Sequence, residues 1–171
     1  SALKRGLSIE QEVGVNPYKF GLIGSSDAHT GQAGAEADNF AGKVSIFGKP
    51  ESYDQETTTS VKGWDFSASG LAAVWAKDNT REEIFQAFKR KEVYATTGSR
   101  IGLRMFGGWR FQRSDTKAKD LAVPGYAKGV PMGSDLASAP KGKAPSFLIQ
   151  AVMDPKGALL DRVQMVKGYL D

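Results

Sequence analysis

Apolar and polar positions along the chain fall into two regimes. Up to about residue 100, helical and strand periods are mixed, as in an α/β unit. Beyond it the pattern is mainly β, strands and loops, as in a sheet or sandwich. Leu3, Leu7, Ile9 and Val13 are spaced for one face of a helix from Ser1 to about Val13, with Gly14 as its stop. Ser8-Ile9-Glu10-Gln11 also has the form of a capping box that starts a second short helix after Gly6-Leu7. Asn16-Pro17 marks a turn, and Tyr18 to Ile23 then reads as a buried strand. Leu71 to Ala76 reads as another short buried strand. After it, Thr80 and Glu83 form a capping box for a helix whose apolar face is Ile84, Phe85, Ala87 and Phe88. Val93 to Thr97 is strand-like, Gly98-Ser99-Arg100 turns the chain, and Ile101 to Phe106 alternates like a half-buried antiparallel strand. Gly107-Gly108 predicts a turn or bulge, and residues 112–145 read as loops. Ser146 to Met153 and Arg162 to Lys167 read as strands on either side of a turn at Asp154-Pro155-Lys156-Gly157. Trp75, Trp109, Phe85 and Phe88 sit in periodic apolar contexts and are assigned to the core.

From Gly31 to Ser69 the periodicity dissolves into Gly, Ala, Ser, Thr and Asp. A stretch this long reads either as a cover over a site or as a surface insertion. The length of 171 residues suits one domain, or one and part of another, and the change of pattern divides residues 1–100 from 101–171. Cysteine is absent, which excludes disulfides, thiolate nucleophiles and Cys-ligated zinc. No apolar run is long enough to cross a bilayer, and Ser1 to Gly6 is not a signal peptide, so no membrane partner is expected and the compartment is left open. The net charge is +4, but Lys and Arg are spread along the chain. The cluster Lys89-Arg90-Lys91 matches the negative end of a helix dipole rather than a phosphate patch, and no nucleic-acid partner is expected.

One short run carries chemistry: Gly24-Ser25-Ser26-Asp27-Ala28-His29-Thr30, with the only histidine of the chain. Residues two apart on an extended segment share a side, so Asp27 and His29 can reach one metal ion. Carboxylate and neutral imidazole are ordinary ligands of zinc, manganese and iron. Ser25, Ser26 and Thr30 either support those ligands or cap the loop. Arg100, on its Gly-Ser-Arg turn, either clamps an anionic substrate oxygen or is a surface or sheet-pairing arginine.

Gly24-Ser25-Ser26-Asp27-Ala28-His29 resembles the late metal-binding motif of the PHP (polymerase and histidinol phosphatase) superfamily. The blocks Asn16 to Ser25, Gly70 to Ala76, Thr80 to Phe85, Tyr94 to Ile101, Met105 to Trp109 and Val163 to Gly168 resemble, in order, a PHP-like family catalogued as domain of unknown function 3604. The resemblance implies a distorted β/α barrel with divalent metals at the C-terminal ends of its strands, and hydrolysis of phosphate esters. Asp27 and His29 match the family's metal-binding Asp and His. It also implies that the chain is a middle-to-late piece of a longer protein. Residues 1–100 would then be the C-terminal portion of the barrel, and 101–171 part of an antiparallel sheet. The implied function is metal-dependent, phosphoesterase-like hydrolysis. The cofactor would be zinc, manganese or iron, completed by ligands from elsewhere and unbound in this piece alone. The partner would be a small anionic substrate such as a phosphate ester, and cut sheet edges would favour self-association. The competing reading is a non-catalytic β-rich binding or assembly module in which Asp27 and His29 are structural.

Overall fold

A computed structural model describes residues 1–29, 51, 54–56, 62, 70–137 and 139–170. Thr30 and nearly all of the run from Gly31 to Ser69, with its reading as cover or insertion, lie outside the described residues. The chain divides into two compact units. One comprises Ser1–Leu22, Val74–Val93 and Gly102–Asp171; the other comprises Ile23–Ala73 and Tyr94–Ile101.

Helix α1 (Ala2–Val13) is a single helix. The Ser1 hydroxyl accepts from the Lys4 N–H at its start, and Gly14 closes it in the left-handed conformation, φ 79°. The capping box at Ser8 is therefore unused. Gly6 does not break the helix, because its bare Cα is where Asn16 packs: a Cβ there would lie 2.3 Å from Asn16 Oδ1. Asn16 in turn accepts from the Tyr18 N–H at 2.9 Å and holds the turn at Pro17.

Strands β1 (Leu71–Val74) and β2 (Val93–Thr96) form a two-stranded sheet, with helix α2 (Arg81–Arg90) between them in sequence. The Thr80 hydroxyl accepts from the Glu83 N–H. Glu82 and Glu83 occupy the first turn of α2 and Lys89 and Arg90 the last, each set matching the dipole. The face of α2 is narrower than its sequence pattern. Ala87 is buried, but Phe85 and Phe88 are exposed, against the core assignment, and the Lys89 ammonium lies 5.8 Å above the Phe85 ring.

A three-stranded antiparallel sheet follows, in the order β4-β3-β5: β3 (Gly102–Gly108), β4 (Gly129–Pro131) and β5 (Ser146–Val152). Phe106 stands opposite Pro131 on one side and Leu148 on the other. Phe106 and Leu148 form the core with Leu121, and Phe111 and Ala122 pack against it. Gly107 and Gly108 continue β3 instead of turning. The bare backbone of Gly108 lets neighbours close in: a Cβ there would lie 2.8 Å from both the Lys128 carbonyl and the Phe111 ring. The expected loop 112–145 holds a 3-10 helix (Arg113–Lys117) and helix α3 (Ala122–Lys128). Pro124 falls in the first turn of α3, where its missing N–H costs nothing, and Gly125 packs face-on to Phe106, 2.6 Å from where its Cβ would be. Trp75 donates its indole N–H to the Leu103 carbonyl at 3.0 Å.

Two expected strands are not formed. Tyr18 to Ile23 joins neither sheet, and Phe20, Leu22 and Ile23 are exposed rather than buried. Arg162 to Lys167 is likewise outside both sheets, with Val166 91 % exposed. A strand persists only where a neighbour takes its N–H and C=O groups, and neither segment pairs with a described strand. The described fold is mixed α/β with small antiparallel pairing, and its described strands close no barrel.

Candidate metal-binding loop

The segment from Gly24 to His29 starts from close backbone contacts. A Cβ on Gly24 would lie 2.7 Å from the Leu71 and Thr96 carbonyl oxygens, and one on Gly70 would lie 2.7 Å from the Ser25 carbonyl. Only glycine permits such approaches. The loop therefore starts flush against the first residue of β1 and the last of β2. Within it the Ser26 hydroxyl accepts from the Ala28 N–H at 3.3 Å, so that serine caps the loop. Asp27 has a φ of +51°, a conformation Asp tolerates better than most residues.

Asp27 and His29 come together. Asp27 Oδ1 and His29 Nε2 are 3.2 Å apart, and both side chains are more than half exposed, at 61 % and 64 %. Two donors bound to one divalent ion at about 2.1 Å, at tetrahedral or octahedral angles, stand roughly 3.0–3.4 Å from each other. The observed spacing fits two adjacent ligands of one ion, and it equally fits an imidazole N–H donating to the carboxylate. Zinc sites take three or four protein ligands. Among the described residues no group of three or more His, Cys, Asp or Glu converges. The pair thus fits as part of a cage, with further donors to be supplied from elsewhere. Ser25 is exposed beside the loop, and Arg100 is exposed on the turn after β2, in the same compact unit as Asp27 and His29.

The sequence reading missed a polar cluster in the other unit. Glu92, 4 % exposed, accepts from Arg90 Nε at 2.8 Å and from the Tyr126 hydroxyl. Arg104 donates to the same hydroxyl at 3.2 Å, and its guanidinium lies 4.3 Å above the Trp75 ring. Burial, and then the bond to Glu92, push the Tyr126 hydroxyl above its ordinary pKa. The bond to Glu92 holds Arg90 more firmly protonated than usual. These residues tie the end of α2 to β3 and α3. A charged residue heading an apolar strand, Glu92 before Val93, was the one available signal. A second pair, Asp115 and Lys128 at 2.6 Å, joins the 3-10 helix to α3.

Fold and loop together define a mixed α/β chain with a glycine-seated Asp-x-His loop. The chain belongs to the family described as Protein of unknown function (DUF3604), which it matches over residues 1–171. No curated protein and no solved structure matches it. Among the described residues no helix is long and apolar enough to cross a membrane.

Proposed function

We propose that this chain is the later part of a metal-dependent, phosphoesterase-like hydrolase of PHP type, and that Asp27 and His29 supply two ligands of its divalent-cation site. The carrying observation is the convergence of a carboxylate oxygen and an imidazole nitrogen to 3.2 Å on an exposed loop that starts beside the last residue of β2; α/β folds assemble their sites at such C-terminal strand ends. In this reading residues 1–100 are the C-terminal portion of a distorted β/α barrel, and 101–171 belong to an adjoining antiparallel sheet. A divalent ion held there (zinc, manganese or iron) supplies charge stabilisation for a phosphoryl oxygen. Asp27 offsets part of the ion's charge, and His29 binds as the neutral imidazole. Ser26 keeps the loop in shape through its bond to the Ala28 N–H. Arg100 binds an anionic oxygen of the substrate through its planar guanidinium.

The test is calorimetric titration of Mn²⁺ and Zn²⁺ into the chain, and into a longer protein that carries it. The longer protein is also assayed on p-nitrophenyl phosphate with and without a chelator. Support is metal binding weakened by D27N and by H29A, with chelator-sensitive hydrolysis in the longer protein. Indifference of both to these changes overturns the reading.

A second reading, a β-rich binding or assembly module, rests on β5. It pairs with β3 alone among the described strands, so its other edge is open, and Phe147 and Val152 are exposed along it. Concentration-dependent sedimentation, with no metal binding at the loop, favours that module.

A further inference from the structure

A groove of about 830 Å³ opens in the unit that contains α1 and the three-stranded sheet. That volume suits a small organic molecule. One wall is apolar. Leu3 and Leu7 are one turn apart on α1, and Phe20 and Val166 also line the groove. Tyr18 stands edge-on to Phe20, with ring centroids 6.3 Å apart, and adds a second aromatic surface. Leu3, Phe20 and Val166 are exposed, so apolar area is left for a ligand to cover.

The groove is also charged, and in one direction. Lys19 lines it but is satisfied, bonded to Glu10 at 2.8 Å and to Asp135 at 3.1 Å. That takes up Asp135, the carboxylate of the lining. Lys4, Lys91 and Lys167 line the groove too, and among the described residues none of them is in an ion pair. Lys91 Nζ is fixed at the groove by a bond to the Lys19 carbonyl at 3.0 Å. Three ammonium groups that meet no carboxylate among the described residues stand beside an exposed aliphatic and aromatic wall, that of Lys167 lying 5.2 Å above the Tyr169 ring. We infer that this groove binds a small organic anion with an apolar, aromatic-sized body. The anionic group sits among Lys4, Lys91 and Lys167, and the body lies against Leu3, Phe20 and Val166. Neither Asp27 nor His29 is among the residues that line it.

The probe is 1-naphthoate, titrated into the whole chain with ¹³C-labelled methyl groups and a chelator present, so that the outcome is independent of Asp27 and His29. Saturable shifts are expected at the Leu3, Leu7 and Val166 methyls. Naphthoate should bind roughly tenfold more tightly than neutral 1-naphthalenemethanol and should weaken in about 0.5 M salt. The exposed pair K4E/K167E should bind about fivefold more weakly or worse. The comparison of acid with alcohol in the unaltered chain stands even if that variant folds poorly. Absence of saturable shifts, equal binding of the alcohol, or indifference of a folded K4E/K167E overturns the proposal. Inorganic phosphate that moves the same methyls with equal affinity also overturns it, because the apolar wall would then contribute nothing.

Discussion

In the sheet of β3, β4 and β5 the side chains that matter are out of water. Phe106 is fully buried, Leu148 nearly so, and Gly125 of α3 carries no side chain where the Phe106 ring packs. In the loop from Gly24 to His29 the side chains that matter are in water, and the burial is done by backbone. Gly24 and Gly70 press carbonyl against chain while Asp27 and His29 stay exposed. The difference separates two kinds of precision. The sheet is held by apolar area removed from water, which rewards large side chains. The start of the loop is held by close backbone approach, and the side chains of Asp27 and His29 stay exposed.

Phe106→Ala tests the first half of this contrast and carries the largest expected effect. Removing a buried phenyl ring costs about 3–5 kcal/mol, read as a shift of the urea midpoint. A cost under about 1 kcal/mol would mean that the sheet does not pack as described. Gly24→Ala tests the second half. The new methyl would be 2.7 Å from two carbonyl oxygens, and forcing the backbone apart costs about 1–3 kcal/mol. The His29 imidazole resonances should shift as the loop is displaced. If Gly24→Ala is neutral in both readouts, the glycine seat is wrong.

Legibility followed the same division. Ser146 to Met153 and Ile101 to Phe106 were readable because a sheet with a buried face writes itself into the sequence as β-branched and apolar periodicity. The observed strands match them closely, except that β3 runs on through Gly107 and Gly108. Those two glycines read locally as a turn or bulge, and Pro124 and Gly125 fell in a stretch read as loops. In the fold Gly108 makes room for the Lys128 carbonyl and the Phe111 ring, and Gly125 for the Phe106 ring, contacts that the local pattern does not show. Helix α3 was missed for that reason. Tyr18 to Ile23 and Arg162 to Lys167 show the reverse error, since apolar alternation marks a capacity to pair and says nothing of whether a partner strand is present. At the candidate site the sequence supplied Asp27 and His29, because a lone histidine beside an acid is conspicuous. It did not supply Gly70, distant in sequence, which makes the close seat beneath Ser25. Nor did it supply the tie of Glu92 to Tyr126, whose residues are separated by a helix and two strands.

Tyr126→Phe sharpens the comparison inside the packed unit. It removes one donor from a nearly fully buried carboxylate, Glu92, for about 1–3 kcal/mol. Asp115→Asn is expected to cost less and to depend on pH. The bond from Lys128, and then that from the Gln112 N–H, hold the Asp115 carboxyl below its ordinary 3.8. The unfolded chain therefore takes up that proton more readily than the folded one. The stabilisation is complete above the ordinary value and fades as pH falls through the lower folded one. Thermal melts should show the wild type ahead of Asp115→Asn at about pH 6, with the gap closing below about pH 3. A gap that widens in acid has the wrong sign for this pair.

Asp27→Asn and His29→Ala should have the smallest effect on stability. Both side chains are more than half exposed, and the close approaches that seat the loop are made by Gly24 and Gly70, with Ser26 capping it. Surface substitutions of this kind stay within about 0.5 kcal/mol, and asparagine keeps the tolerance for positive φ that position 27 requires. The melts of both variants should overlay that of the wild type, while Mn²⁺ or Zn²⁺ titrations of the longer protein should lose the heat assigned to the loop. A destabilisation above about 1 kcal/mol by either change would break the contrast between the two regions, since the loop would then be held by the groups proposed to bind a metal. Overlaid melts with a lost titration would leave ligand binding as the property in which Asp27 and His29 differ from their substitutes.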